Sequence, residues 1–516
     1  MNPASTPRRD TARHSCSQPA APRTAARCLG GGLLLAALAC PATEPVKPEI
    51  KPPEPWRAEL EPHEGLKMRM ELNERLRGEF VDWFGDPIIQ GQAQAKESGY
   101  NFAGNKFQLG LRLKNAWSET FAQFQDSTIA ALPSNGVGLG AAYYANTPET
   151  TQNAAFLRQG WLKLKHDQLY VSGGRQFYWD AAQGGARNVN LKWIQETRLA
   201  QRLIGTLEYT HTGRSFDGGT LGYLSDTMEV SGFGFMPTFG GLEINGMNTI
   251  SAINVAGAAV NLRDAGWLKD TIGQLSYYYY SDDRGLVATD NRPEPARLAS
   301  RGQPIEIQTL GATAAHVLPI GEGQADGTVY SYGQFGDWQG LSHGAWAFGA
   351  EAGYQWSEVW SRPWLRGGIN SASGDANPDD RDHQTFFQML PTAWMYAQFP
   401  FYNMMNNRDV FLQTILKPHP IVTVRWDFHW LSVNDSQDLV YNGSGATSNT
   451  VFGYNGAPTG GFENLAYLTH VMVNVRPLDH LAFNLFYGHA FGQDIMNAQY
   501  TGQQGNYGFV EAIVTF

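Results

Sequence analysis

The chain has 516 residues, enough for several soluble domains or one large barrel. Only 17% of the residues are charged, while Gly (57) and aromatics (15 Trp, 22 Tyr, 27 Phe) are plentiful, which disfavours a helical enzyme and suits many strands with aromatic girdles. The formal charge is -10, and residues 1–39 hold five Arg and one Asp, leaving 33 basic and 47 acidic side chains (-14) in the remainder. That balance excludes nucleic acid as a partner of the overall field, so any affinity for polyanions must come from local clustering.

The N-terminus reads as an address. Arg23 and Arg27 precede an apolar run, 29–39, that ends in the small-x-small cleavage pattern Ala37-Leu38-Ala39. The run is too short to span a bilayer as a helix. Residues 1–39 are therefore expected to be a signal peptide, with lipidation of Cys40 as the alternative. All three cysteines (Cys16, Cys28, Cys40) lie in the first 40 residues. The rest of the chain can hold neither a disulfide nor a cysteine-based zinc site, which fits passage through an oxidising periplasm. Seven prolines fall between 41 and 62. Residues 40–64 are expected to be an extended periplasmic linker, and a candidate docking segment for a periplasmic partner.

From Leu66 the pattern changes to a period of two. Leu66, Met68, Met70, Leu72, Leu76 and Phe80 alternate with Lys67, Arg69, Glu71, Asn73, Arg75, Arg77 and Glu79. Glu74 is the one charge on the apolar face. The same alternation marks 107–114, 161–165, 202–209, 346–356, 422–430 and 481–488, and each is expected to be a strand. Trp346 and Trp356 bracket one apolar face ten residues apart, about 33 Å along a strand. At a tilt of roughly 45° this covers about 24 Å of height, the apolar band of a membrane barrel. Long Gly/Asn/Asp/Ser-rich segments (282–301, 371–382, 434–461) alternate with short turns such as 476–479. The last strand ends on an aromatic, with Val514, Ala512, Val510 and Gly508 behind Phe516. These features lead to the expectation of an all-β chain over 65–516: a transmembrane antiparallel β-barrel of 14 to 18 strands. It closes by pairing the 66–80 strand with the 507–516 strand. Glu511 then faces the same lumen as Arg75 and Arg77. Phe516 sits at the periplasmic rim as the signal for the barrel-assembly machinery.

Several phrases carry a family resemblance. They include Trp364-Leu365-Arg366-Gly367-Gly368-Ile369-Asn370, Leu390-Pro391-Thr392, Asn406-Asn407-Arg408-Asp409 and Leu416-Lys417-Pro418. Upstream are Arg75-Leu76-Arg77-Gly78-Glu79, Leu157-Arg158-Gln159-Gly160-Trp161, Gly174-Arg175-Gln176 and Phe216-Asp217-Gly218. Together they resemble the alginate export family of outer-membrane porins. The resemblance implies an 18-strand barrel in the outer membrane of a Gram-negative bacterium. Through it an anionic polysaccharide would pass outward along an Arg-lined lumen. The alternatives are a general or substrate-selective porin for small molecules, and a plugged scaffold barrel that binds partners through its loops.

A polymer conduit needs a wet path and weak repeated contacts rather than catalysis. Arg suits carboxylate-bearing sugars because its planar fork binds a carboxylate through two bonds. Lumen parity nominates Arg69, Arg75, Arg77, Arg112 and Arg425, together with Lys163 and Arg202. For Arg158, Arg175 and Arg366 the assignment follows from the family phrases. Asp427 and His429 share a strand face with Ser432 nearby, but triad members converge from distant segments, so no enzyme is expected. The acidic run 375–380 lacks the glycine and distal Glu of a calcium loop. His166, His211 and His343 show no ligand spacing, so no metal or cofactor is expected either. The expected partners are outer-membrane lipid and the transported solute.

Overall fold

The computed structural model describes residues 59–183 and 185–516. The signal peptide and most of the proline-rich linker lie outside them. Eighteen long strands carry the fold. In chain order they are β1 (Leu66–Asp82), β2 (Gly99–Lys114), β3 (Ser118–Ala130), β4 (Thr151–His166), β5 (Leu169–Gln176) and β6 (Phe216–Leu224). There follow β7 (Met228–Pro237), β8 (Ile253–Leu262), β9 (Thr271–Asp282), β10 (Ile305–Ile320), β11 (Gly323–Trp338) and β12 (Leu341–Trp356). The set ends with β13 (Trp364–Ala372), β14 (Arg408–His419), β15 (Val422–Ser432), β16 (Asn464–Leu478), β17 (Leu481–Gly492) and β18 (Gln504–Thr515). Each pairs antiparallel with its neighbours in sequence, and β18 pairs back onto β1. The register runs from Asn73↔Thr515 to Asp82↔Asn506. Backbone bonds between Leu72 and Phe516 (2.8 and 3.0 Å) continue the seam to the last residue. The barrel is closed, and first and last strands meet as the alternation required.

The pleat decides which side chains face lipid. On β12, Trp346, Phe348, Ala350, Ala352 and Trp356 are exposed outward, whereas His343, Ala345, Ala347, Glu351 and Gln355 are buried inward. On β1, Met70 and Leu76 point out and Arg75, Arg77 and Glu79 point in. Such apolar exposure has its natural solvent in the acyl chains of a bilayer. Among the described residues no helix is long and apolar enough to cross a membrane.

Short turns lie on the rim that carries Phe516. On the opposite rim two long connections fold back into the barrel: 177–215 (L3, after β5) and 373–407 (L7, after β13). L3 reaches the level of the short turns. There Arg187 and Asn188 donate backbone N–H groups to Asp264 Oδ2 (2.7 and 2.9 Å), and Asn188 Nδ2 donates to Asp270 (3.0 Å). Apart from α1 (Leu139–Asn146) in the connection after β3, the nearest helix is α2 (Val189–Ile194) in L3. The Asn188 side chain caps α2 by accepting from Asn190 N and Leu191 N, and the chain continues as a π-helical turn, Gln195–Leu199.

Two expectations need correction. Residues 202–209, read as a strand, have no ladder and form the returning limb of L3. Their alternation arises because this limb lies between other groups on both sides, so successive side chains pack in opposite directions. Glu59–His63, assigned to the linker, instead form a short strand paired with the start of β1.

Candidate functional site

Three groups of ionisable side chains line the interior. The first is an aqueous vestibule at the short-turn end, on the β1–β7 wall. Arg69 and Arg112 both bond Glu71, and Arg112 Nη1 reaches Glu119 at 2.7 Å. Lys165 lies 3.4 Å from Glu119. The Lys163 ammonium sits 4.0 Å from the centre of the Tyr170 ring, whose hydroxyl donates to Glu229 at 2.6 Å. The Arg112 guanidinium stacks 4.3 Å over Phe121. Trp161, Lys163, Tyr170, Gln159, Ser172 and Glu229 share a cleft of about 360 Å³. Cations thus stand beside aromatic faces in a site open to water.

The second group lies deeper, on the seam side. Arg77 Nε donates to Glu511 at 2.7 Å, and Arg75 lies 3.5 Å from the same carboxylate. Both also donate to L3: Arg75 to the carbonyls of Glu208 (2.8 Å) and Thr210 (2.6 Å), Arg77 to that of Tyr209 (2.7 Å). Lys106 (2.9 Å) and Arg158 pair with Glu208. His211 approaches so closely that a Cβ at Gly104 would fall 2.2 Å from its ring, so this wall position accepts only glycine. His211 bonds Glu79 at 2.6 Å. Burial pushes the His211 imidazole down to about 4 against the pull of Glu79, so it is uncharged at neutral pH.

The third group faces it across L3. Glu351 accepts from Arg198 (2.8 Å), Arg202 (3.4 Å) and Arg366 (3.1 Å), and Arg366 also bonds Asp326 at 3.0 Å. Arg198, Arg202, Arg366 and Glu351 expose none of their side chains. Around this level Phe386, Leu390, Tyr396 and Phe399 of L7 are fully buried. L3 and L7 therefore fill the lumen here.

The ten cationic candidates separate accordingly. Arg69, Arg75, Arg77, Arg112, Lys163, Arg366 and Arg425 project inward from strands. Arg158 does so through a β-bulge opposite Gln123/Phe124, which turns both Arg158 and Gln159 inward. Arg202 belongs to L3 rather than to the wall. Arg175 is the correction: Ser172 and Gln176 bond each other inside, so Arg175 has the opposite parity. It bonds Asp217 at 2.8 Å and the Met247 carbonyl at 2.8 Å on the outer side, near the long-loop rim. The adjoining Gly174 (φ 120°) is required because a Cβ would fall 2.2 Å from the Gly160 carbonyl oxygen. Most inward guanidiniums already share a carboxylate.

Sequence reasoning missed Arg198, Glu208 and Arg214. Each sits in L3, where no period of two or 3.6 reports direction. Arg214 is fully buried and donates to the carbonyls of Ser444 (2.9 Å) and Ala446 (3.0 Å). Glu351 carried a usable signal, as the lone charge on the inward face of β12.

Residues 111–511 match the profile of the Alginate export family. The chain belongs to the alginate export family. It is accordingly an outer-membrane channel of a Gram-negative bacterium, its outer face bathed in lipid. No curated protein matches this member of the family. Among solved structures it is similar to Pseudomonas aeruginosa OccK8 (OprE), at 11% identity and a TM-score of 0.51 over 87% of this chain and 98% of that one. It is similar to P. aeruginosa OccK2 (OpdF) in complex with glucuronate, at 8% identity and a TM-score of 0.52 over the same shares, 87% and 98%. Acinetobacter baumannii OccAB3 matches at 9% identity and a TM-score of 0.51, over 87% and 99%. At these identities the likeness concerns the barrel fold of this alginate export family member.

Proposed function

We propose that this channel passes carboxylate-bearing saccharides, with export of an anionic, alginate-like polysaccharide as its role. The carrying observation is the vestibule. Trp161 and Tyr170, both part-exposed, offer faces on which a sugar ring stacks, and Lys163, Lys165, Arg69 and Arg112 stand beside them as carboxylate partners. Charge is partitioned in support. The vestibule sets four cations against Glu71, Glu119 and Glu229. The seam group sets Arg75, Arg77, Lys106 and Arg158 against Glu79, Glu208 and Glu511. Each is one positive charge in excess, inside a chain that is negative overall. In the water-filled vestibule, contacts already shared with a carboxylate are weak and exchangeable, as conduction requires.

A second reading, uptake or release of small uronate-like acids, is favoured by the filled lumen at Glu351. The solved barrel in complex with glucuronate gives it a chemical precedent. Reversal potentials across a planar bilayer in a KCl gradient test both: anion preference is expected, and cation preference overturns them. Uronate oligomers of increasing length then separate the two. A polymer channel passes or is blocked by long oligomers, and a small-acid channel responds only to the shortest. Replacing Trp161 and Lys163 by Ala is expected to weaken oligomer block about tenfold, the loss of roughly 1.4 kcal/mol of stacking and ion pairing.

A further inference from the structure

Asp427 and His429 on β15 and His470 on β16 bring their side chains together on the inner wall, fully buried, with one ligand atom from each within 4.8 Å of the others. His470 Nε2 lies 3.5 Å from Asp427 Oδ2, and His429 Nε2 lies 3.9 Å from it. A tetrahedral ion with bonds near 2.1 Å spaces its ligand atoms about 3.4 Å apart, so only small movements are needed. The His429 ring is oriented for this role. Its Nδ1 meets Asp409 Oδ1 at 2.9 Å, and Asp409 is itself held by Tyr402 Oη (3.1 Å) and Asn370 Nδ2 (3.2 Å). That bond places the proton on Nδ1 and turns the Nε2 lone pair towards Asp427 and His470. Nε2 is buried and has no hydrogen-bond partner. A carboxylate behind a histidine whose other nitrogen points at a second histidine and a carboxylate is the outer-shell arrangement of a metal site.

We propose that Asp427, His429 and His470 bind a divalent transition metal of the zinc class. Two imidazoles and one carboxylate suit zinc and its first-row neighbours, and not calcium or magnesium, which prefer all-oxygen shells. Three neighbours shape the site. Arg425 Nε bonds Asp427 at 2.8 Å and Gln413 Nε2 bonds it at 3.0 Å, so the guanidinium competes with the ion for the carboxylate. The backbone N–H of Gln398 in L7 makes a long contact, 3.4 Å, to His470 Nε2. Metal binding exchanges that contact for a metal bond. Occupancy therefore loosens L7 from the wall at this point, which couples the ion to the part of the lumen that L7 fills.

The test uses the full barrel, purified in detergent, stripped with chelator and titrated with Zn²⁺ and separately with Co²⁺. One ion per chain is expected by elemental analysis, with a tetrahedral d–d spectrum for Co²⁺. Both are expected to be lost in His429→Ala/His470→Ala, with folding checked by heat-modifiable gel migration. Asp409→Asn is expected to weaken affinity about 10- to 100-fold, and Arg425→Ala to strengthen it. Equal binding by wild type and the double variant overturns the proposal. Should the double variant not fold, unchanged affinity in both Asp409→Asn and Arg425→Ala overturns it.

Discussion

Glu351 pairs with three guanidiniums that have no access to water. Glu351→Gln leaves Arg198, Arg202 and Arg366 with Asp326 as their remaining carboxylate. Breaking a buried pair of this kind costs about 3–5 kcal/mol. Two of those arginines sit on L3, so the expected outcome is an L3 displaced towards the rim: higher single-channel conductance and a lower unfolding temperature. Unchanged conductance would show that L3 does not obstruct ions. Asp180, also in L3, accepts the backbone N–H groups of Leu203 and Ile204, with Arg202 as its nearby cation. Burial pushes its carboxyl up to about 7, although these bonds and Arg202 pull downward. A carboxyl whose pKa is raised on docking holds its proton more tightly when docked. Docking is thus strengthened as pH falls from about 7 towards the ordinary carboxylate range near 4, and weakened above about 7. Conductance should therefore be lower at pH 5 than at pH 8, and Asp180→Asn should flatten the difference. A conductance that rises on acidification contradicts the assignment.

L3 and the strands make separable predictions. The eighteen strands close without any contribution from residues 187–204. Replacing that stretch with a short Gly/Ser linker is expected to leave heat-modifiable folding intact while raising conductance severalfold. Phe516 stacks on His480 with ring centres 5.3 Å apart and joins Leu72 by backbone bonds. Phe516→Ala is expected to lower the yield of assembled barrel in cells, measured by heat-modifiable migration, whereas Val510→Ala on the lipid face should not. The strands were legible because one face must dissolve in lipid: Leu76, Trp346 and Trp426 repeat at a spacing set by the pleat alone. L3 was not. Leu203 and Leu207 pack against other loop residues, and that environment imposes no lipid face to distinguish them from a strand. Arg175 carries a family phrase, but the parity set by Ser172 and Gln176 turns it outward. Arg158 faces inward through a single-residue bulge, which leaves no compositional trace.

At the level of the whole molecule, the vestibule and the seam group each hold one more cation than carboxylates, although the chain as a whole is acidic. A barrel of net charge -14 beyond residue 39 would repel polyanions if its lumen shared that balance. The vestibule cations stand in water, where salt screens them, so the anion preference should fall as the KCl concentration rises. Measuring the permeability ratio at low and high KCl checks this, and an anion preference unchanged by salt contradicts the vestibule reading. The seam between β1 and β18 has a kinetic consequence as well. Arg77 and Glu511 are 434 positions apart, so the contact that seals the cylinder spans nearly the entire chain. It cannot form until the last segment has been synthesised and delivered. Until then two long ladders of unsatisfied amides and carbonyls, one on each end strand, stay open to any passing β-edge. Sealing is thus the natural commitment step of biogenesis. A variant that weakens it, such as Arg77→Ala, should accumulate as an unsealed, protease-sensitive intermediate well before any loss of strand content is seen.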